Sequence, residues 1–313
     1  MNKQEREVFE RRNIRLLVSR YINGAEILNK KFIKFFSKTN GLKNFLINFL
    51  TLKFKIEFWL TKKPAIPNLD FMITTVCTLK CEKCCSLMPD YNEKSHYIET
   101  FCKYKENFDN LMHSINYVGR LQFIGGEPLL NKDLPKMLEY AAKSKKVKAI
   151  VIITNGTIIP NQELINICRK YKNKVRISIS DYRSNTELKN LKTQDVHNAF
   201  KQSGAHTYLT NDLWYERGEI KKENRNVEEL IKAMSSCWQY NCPIYLDGEM
   251  HLCSRSVAIK RIIDNSIKDY VTITKNKDSS KDIIKLFSRD YVDACDYCHR
   301  DLTQRIPRAI QAR

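Results

Sequence analysis

The chain has no uncharged apolar run of about 18 residues, the length a membrane-spanning helix needs. Its first residues, Met-Asn-Lys-Gln-Glu-Arg-Glu, lack the apolar core of a secretory signal. It has no internal repeat, low-complexity tract or collagen-like bias. These absences exclude a spanning, fibrous or disordered protein and lead us to expect a soluble or peripheral cytoplasmic one. Acidic residues are few beside basic ones, 35 against 54, leaving a net charge of +19. Such a balance invites a nucleic-acid reading. Its distribution argues otherwise: Met1 to Ala65 hold fifteen Lys and Arg and five Glu, so +10 lies in the first fifth of the chain. A Lys-rich composition produces the same excess, and nucleic acid is not expected as the partner.

What remains is globular, 42% hydrophobic and 28% charged over 313 residues. Residues 1 to 65 read as helical, with apolar Ile14, Leu17 and Tyr21 at helical spacing. Within them the interleaved Phe, Leu and Lys of 41–60 are expected to pack an apolar side on the rest of the fold; the alternative is peripheral contact with an anionic membrane. Pro64 and Pro67 punctuate the approach to the first strand. Beyond Leu69 short apolar runs alternate with amphipathic segments, the pattern of βα units. Strands are expected at 71–76, 120–124, 149–154, 175–180 and 205–209, and helices near 101–117, 134–144, 162–171 and 186–202. A sixth strand is not evident between Thr210 and Ser236.

Eleven cysteines in a chain without a secretory signal point to metal rather than bridges. The densest run is Cys77-Thr-Leu-Lys-Cys81-Glu-Lys-Cys84. Three ligands leave one metal corner open for a small molecule, whereas a closed site takes four. A zinc knuckle completed from elsewhere is the competing reading. The run resembles the signature of the radical S-adenosylmethionine (SAM) superfamily. The resemblance implies a partial (β/α)6 TIM-like barrel, a [4Fe–4S] cluster on Cys77, Cys81 and Cys84, and SAM on the open iron, cleaved by one electron to a 5′-deoxyadenosyl radical. Many members carry an aromatic residue where this chain has Lys83. Cys85 follows Cys84 directly, and the spacing favours Cys84.

Two further motifs sit at expected strand ends, where such barrels gather their ligand sites. Gly125-Gly126-Glu127-Pro128 follows the second strand and resembles the superfamily's Gly-Gly-Glu; its glycines let backbone approach a ligand, and Glu127 can accept from an ammonium. Thr154-Asn155-Gly156-Thr157 ends the third and resembles Thr-Asn-Gly. In the fourth, a period of two puts Ser178 and Ser180 on one face, either able to bond the ribose or carboxylate of SAM. Asp247-Gly248 reads as a hairpin turn. Cys237, Cys253, Cys295 and Cys298, with Cys242 an alternative first ligand, resemble the twitch relative of the SPASM domain, which implies one auxiliary [4Fe–4S] cluster; a zinc ribbon is the rival. Cys102 and Cys168 read as core. The final segment from Arg305 shows no chemistry.

The expected organisation is an α/β fold: a basic helical N-terminal extension (1–68), the radical SAM partial barrel (69–235) and a small cluster-binding extension (236–313). The expected activity is hydrogen abstraction from a substrate, with an oxidative outcome because an auxiliary cluster can take the electron. A small molecule of sugar or cyclitol type is expected ahead of a ribosomal peptide, because residues 1 to 65 lack a strand-rich pattern for leader recognition. A flavodoxin or ferredoxin is the expected electron donor. Asp181, Tyr182, Arg255 and His251 lie near these motifs, and none is assigned as acid or base.

Overall fold

A computed structural model describes residues 3–23, 40–188, 191–211, 213–216, 220–237, 242–299 and 304–312, with the side chains of 20–23 and 40 excepted. Two helices, α1 (Lys3–Asn23) and α2 (Asn40–Thr61), precede the sheet. Ile14 and Leu17 bury as their spacing predicts; the side chain of Tyr21 lies outside the described residues, as do 24–39 of the expected helical segment. No described helix is long and apolar enough to cross a membrane.

The sheet begins with β1 (Ala65–Met72) and β2 (Tyr117–Ile124), joined through α3 (Phe101–Ser114). β3 (Val147–Thr154), β4 (Val175–Ser180) and β5 (His206–Thr210) follow through α4 (Leu134–Lys143), α5 (Gln162–Lys170) and α6 (Thr193–Lys201). All four neighbouring pairs among these strands are parallel. Polar caps start two of the crossover helices: Thr100 accepts from the Lys103 amide and Asn161 from the Leu164 amide. The apolar faces of these helices close one core with the sheet.

The strands depart from expectation at their edges. β1 starts at Ala65, six residues early, and takes Pro67 inside it; its outer neighbour joins only at Asp70 and Phe71, so Pro67 stands on an open edge where no amide is needed. β2 starts at Tyr117 because that residue pairs with Ala65, which cuts α3 short of the expected end. α6 starts at Thr193 rather than 186; Leu188 and Leu191, on either side of the two undescribed residues 189 and 190, pack instead near Cys81 and Tyr182.

The missing sixth strand comes from further along. After β6 (Trp214–Tyr215) and α7 (Val227–Ser236), β7 (Ile244–Leu246) lies parallel to β1 on its outer side. β8 (Glu249–His251) returns through the expected turn, with Asp247 and Gly248 both at positive φ, 53° and 80°. Next come α8 (Ser254–Ala258), β9 (Tyr270–Thr272), α9 (Ser280–Phe287) and β10 (Arg305–Ile306). The sheet order is β5-β4-β3-β2-β1-β7-β8-β9, with β10 paired to β6 apart from it. This is an open, mostly parallel α/β sheet of partial-barrel type. Phe71 joins its halves, its ring 4.8 Å from Tyr104 and 5.0 Å from Tyr245.

Candidate active site

The carboxyl ends of β1 to β5 surround a cavity of about 720 Å³. Cys77, Cys81, Cys84, Gly125, Gly126, Asn155 and Ser180 line it, so one site collects motifs separated by a hundred residues. Cys85 also lines it, and its thiol accepts from Ser254 Oγ at 3.8 Å. A second cavity of comparable size, about 680 Å³ between α1 and α2, holds none of these motifs.

The glycine pair serves a close approach of backbone to backbone. A Cβ on Gly125 would stand 2.3 Å from the Thr74 carbonyl oxygen, and one on Gly126 would stand 2.3 Å from that of Val76 and 2.7 Å from Cys77 Cβ. Only glycine lets the end of β2 lie against the cysteine loop, where the Gly126 and Glu127 amides donate to the Thr74 and Val76 carbonyls. The neighbour being accommodated is therefore the loop itself.

The Glu127 side chain turns away from the cavity that the glycines line. It is fully buried. The carboxylate accepts from Thr154 Oγ1 (2.8 Å), the Asn155 amide (2.7 Å) and the Leu129 amide (3.0 Å). Burial raises its pKa to about 7, against these bonds. The group is spent tying the end of β2 to the end of β3. Asn155, thereby held, donates to Thr78 Oγ1 at 2.9 Å and to Cys77 Sγ at 3.6 Å. The two serines also separate: Ser180 reaches the cavity, while Ser178 is buried away from it.

Several lining residues were given no role in the sequence reading. Asp70 sits on β1 beside Gln122, whose amide donates to it, and burial raises its pKa to about 6. A carboxylate inside an apolar strand was the available signal; the late strand start hid it. Tyr182 lines the wall and meets Trp214 edge-on at 6.0 Å, and Tyr215 stands nearby. Lys83 pairs with Glu216 at 3.6 Å. Asp181 instead binds Arg183 outside the cavity, and His251 is buried against Ser256 and Glu249.

The C-terminal segment, read as without chemistry, closes this site. Gln311 bridges Cys81 in antiparallel fashion; its Oε1 accepts from the Lys80 amide at 2.9 Å and its Nε2 donates to Cys81 Sγ at 3.4 Å. Arg305 and Arg308 line the cavity, their guanidiniums donating to the Leu213 and Thr210 carbonyls. Ala309, at φ 55°, is buried against Cys81 and Tyr182.

The late cysteines gather around a separate, small cavity of about 30 Å³ lined by Cys237, Cys253, Cys295 and Cys298, with Cys242 not among its walls. Arg225 braces the Cys295–Cys298 turn, donating to both carbonyls at 2.6 Å, and buried Arg255 donates to the Tyr297 carbonyl at 3.0 Å. Burial pushes the Cys81 thiol up to about 11 and Cys295 up to about 12, and raises Cys77, Cys84 and Cys253 as well. Thiolates in such surroundings need a cation. Among the described residues no three Cys, His, Asp or Glu converge tightly enough for a single metal ion. An iron–sulfur cluster asks for less convergence, since each iron takes its own cysteine. The cavity beside Cys77, Cys81 and Cys84 has room for that larger group.

The family model of the radical SAM superfamily matches residues 71–205, from β1 to the residue before β5. GTP 3′,8-cyclase of Clostridium acetobutylicum is 28% identical over 126 residues, 39% of this chain and 38% of that protein. This chain therefore spans about two fifths of that relative's length. GTP 3′,8-cyclase of Campylobacter jejuni subsp. doylei is 26% identical over 253 residues, 74% of this chain and 76% of its own. Among solved structures, BtrN in complex with AdoMet and 2-DOIA aligns with a TM-score of 0.48 at 15% identity, over 77% of this chain and 98% of that one.

Proposed function

We propose that this chain, whose residues 71–205 belong to the radical SAM superfamily, is an enzyme that oxidises a small, anionic molecule of sugar or nucleotide type. The observation that carries the reading is the convergence of the cysteine run, the glycine pair, Asn155 and Ser180 on one cavity at the carboxyl ends of parallel strands. Cys77, Cys81 and Cys84 would hold a [4Fe–4S] cluster. That group supplies the electron that cleaves SAM to a 5′-deoxyadenosyl radical.

The residues divide the remaining tasks. Gly125 and Gly126 let the end of β2 lie against the cluster loop, Asn155 donates to Cys77, and Ser180 offers a hydroxyl to SAM. Tyr182, Trp214 and Tyr215 provide the aromatic wall that Lys83 does not. Asp70 is the candidate acid or base, since its raised pKa keeps a proton exchangeable near neutrality. Arg305 and Arg308 supply N–H donors suited to a phosphate or carboxylate on the substrate. Cys237, Cys253, Cys295 and Cys298 would hold an auxiliary cluster whose closed ligand set suits electron transfer, with a flavodoxin or ferredoxin as donor to the protein.

A purine nucleotide is the substrate reading favoured by two observations together: the paired guanidiniums at the wall, and curated relatives that bear the name GTP 3′,8-cyclase. The test is 5′-deoxyadenosine formation by anaerobically reconstituted protein with phosphorylated sugars, cyclitol phosphates and GTP offered in turn. SAM cleavage stimulated by one of these, and lost in Cys77→Ala, supports the reading. Stoichiometric zinc with little iron overturns it.

A further inference from the structure

α2 is apolar on two opposite faces, and among the described residues one of them is uncovered. At about 100° per residue, Leu46, Leu50, Phe54 and Phe58 fall on one side, buried against α1, α9 and the start of β1 and β2. Phe45, Phe49, Leu52, Ile56, Trp59 and Leu60 fall on the other and keep 48–65% of their surface exposed. Those six form a stripe about 100° wide along roughly four turns. Single exposed apolar residues are ordinary; a continuous row of large ones marks a contact surface.

Charge selects the occupant. Lys53 and Lys55 flank the stripe on opposite sides, and Lys62 follows its end. The Lys62 ammonium lies 4.9 Å from the centre of the Trp59 ring. Glu57, the one acid of the helix, faces away from the stripe and pairs with Lys53 at 3.3 Å. With residues 1 to 65 at +10, a second copy on this face would bring like charges together. An anionic bilayer satisfies both features: the aromatic and aliphatic side chains enter the headgroup boundary, and the lysines meet lipid phosphates.

We propose that the exposed face of α2 docks this protein on an anionic lipid surface. The buried face of the same helix anchors that platform to the sheet, so docking asks for no rearrangement of the fold. The inference is independent of the chemistry in the cavity.

The experiment is flotation of the full-length, cluster-loaded protein with phosphatidylcholine vesicles, with and without phosphatidylglycerol. We expect at least about tenfold stronger partitioning onto the anionic vesicles. Phe45→Ser/Phe49→Ser/Trp59→Ser should lower it at least about tenfold while leaving far-UV circular dichroism and elution volume unchanged. Should that variant misfold, Trp59→Ser alone reads the same surface, with an expected loss of about threefold. Lys53→Gln/Lys55→Gln should weaken binding to anionic vesicles only. Absence of flotation overturns the proposal, as does partitioning that the serine variants leave unchanged, or a dimer that they dissolve in a protein that does not float.

Discussion

The two cysteine groups differ less in their donors than in the space beside them. Cys77, Cys81 and Cys84 face a cavity of about 720 Å³, whereas Cys237, Cys253, Cys295 and Cys298 enclose about 30 Å³. Three donors stand beside room for a small molecule; four donors surround a space too small for one. The supports differ too. The first group is held by backbone contacts among strand ends and by Gln311, the second by the guanidiniums of Arg225 and Arg255. The lesson is that ligand count alone is a weaker discriminator than ligand count read with volume.

The sharpest way to break this contrast is to remove one donor from each group. Cys77→Ala should abolish SAM cleavage, a loss of at least about three orders of magnitude. Cys253→Ala should leave SAM cleavage within about threefold while stopping substrate oxidation. Iron should fall from roughly eight to roughly four per chain in either case. Equal loss of SAM cleavage in both would mean that the groups are not functionally separate.

Next in size is the buried carboxylate between the strand ends. Glu127→Ala removes three hydrogen bonds and should cost about 3–5 kcal/mol in urea unfolding. Gly126→Ala sets a methyl against the Val76 carbonyl and should cost about 1–3 kcal/mol, with weakened cluster retention. Neither change touches the late cysteines, so iron in that group should persist.

Asp70 gives a smaller, pH-dependent effect. Its folded pKa of about 6 lies above the usual aspartate value of 3.8, so the folded state binds its proton more tightly than the unfolded one. The penalty for ionising it is absent below pH 4 and grows as pH rises through 6. Asp70→Asn should therefore stabilise the protein by about 1–3 kcal/mol at pH 7.5 and by almost nothing at pH 4, while slowing turnover. Smallest is Gln311→Ala, which removes one N–H donor from Cys81 Sγ. It should lower the cluster's reduction potential by an amount on the order of tens of millivolts and leave the melting temperature nearly unchanged.

What the sequence made legible was local. β4 lies where its alternation put it, and Asp247-Gly248 turns where a two-residue hairpin should. The cysteine run and the two glycine-bearing motifs were visible because each is a short, unusual string. What stayed hidden depends on partners far away. Asp70 reads as loop until Ala65 is paired with Tyr117. The sixth strand, at 244–246, lies beyond the stretch from Thr210 to Ser236 where it was sought, because its place is set by β1 rather than by chain order. Nothing in residues 305–312 announces a contact with Lys80, 231 positions away. The direction of the Glu127 side chain was hidden too, because a motif shows which residue is present and not where it points.

The parallel strands also separate the two surfaces at which this protein would meet other molecules. Ala65, at the start of β1, packs under α2, and the cysteine loop follows the other end of the same strand. Eight residues of strand put about 26 Å between them. A bilayer held at α2 would thus leave the mouth of the cavity pointing into water. Substrate and electron carrier would then arrive by diffusion through solution, and the lipid would set where the enzyme stands without entering what it transforms.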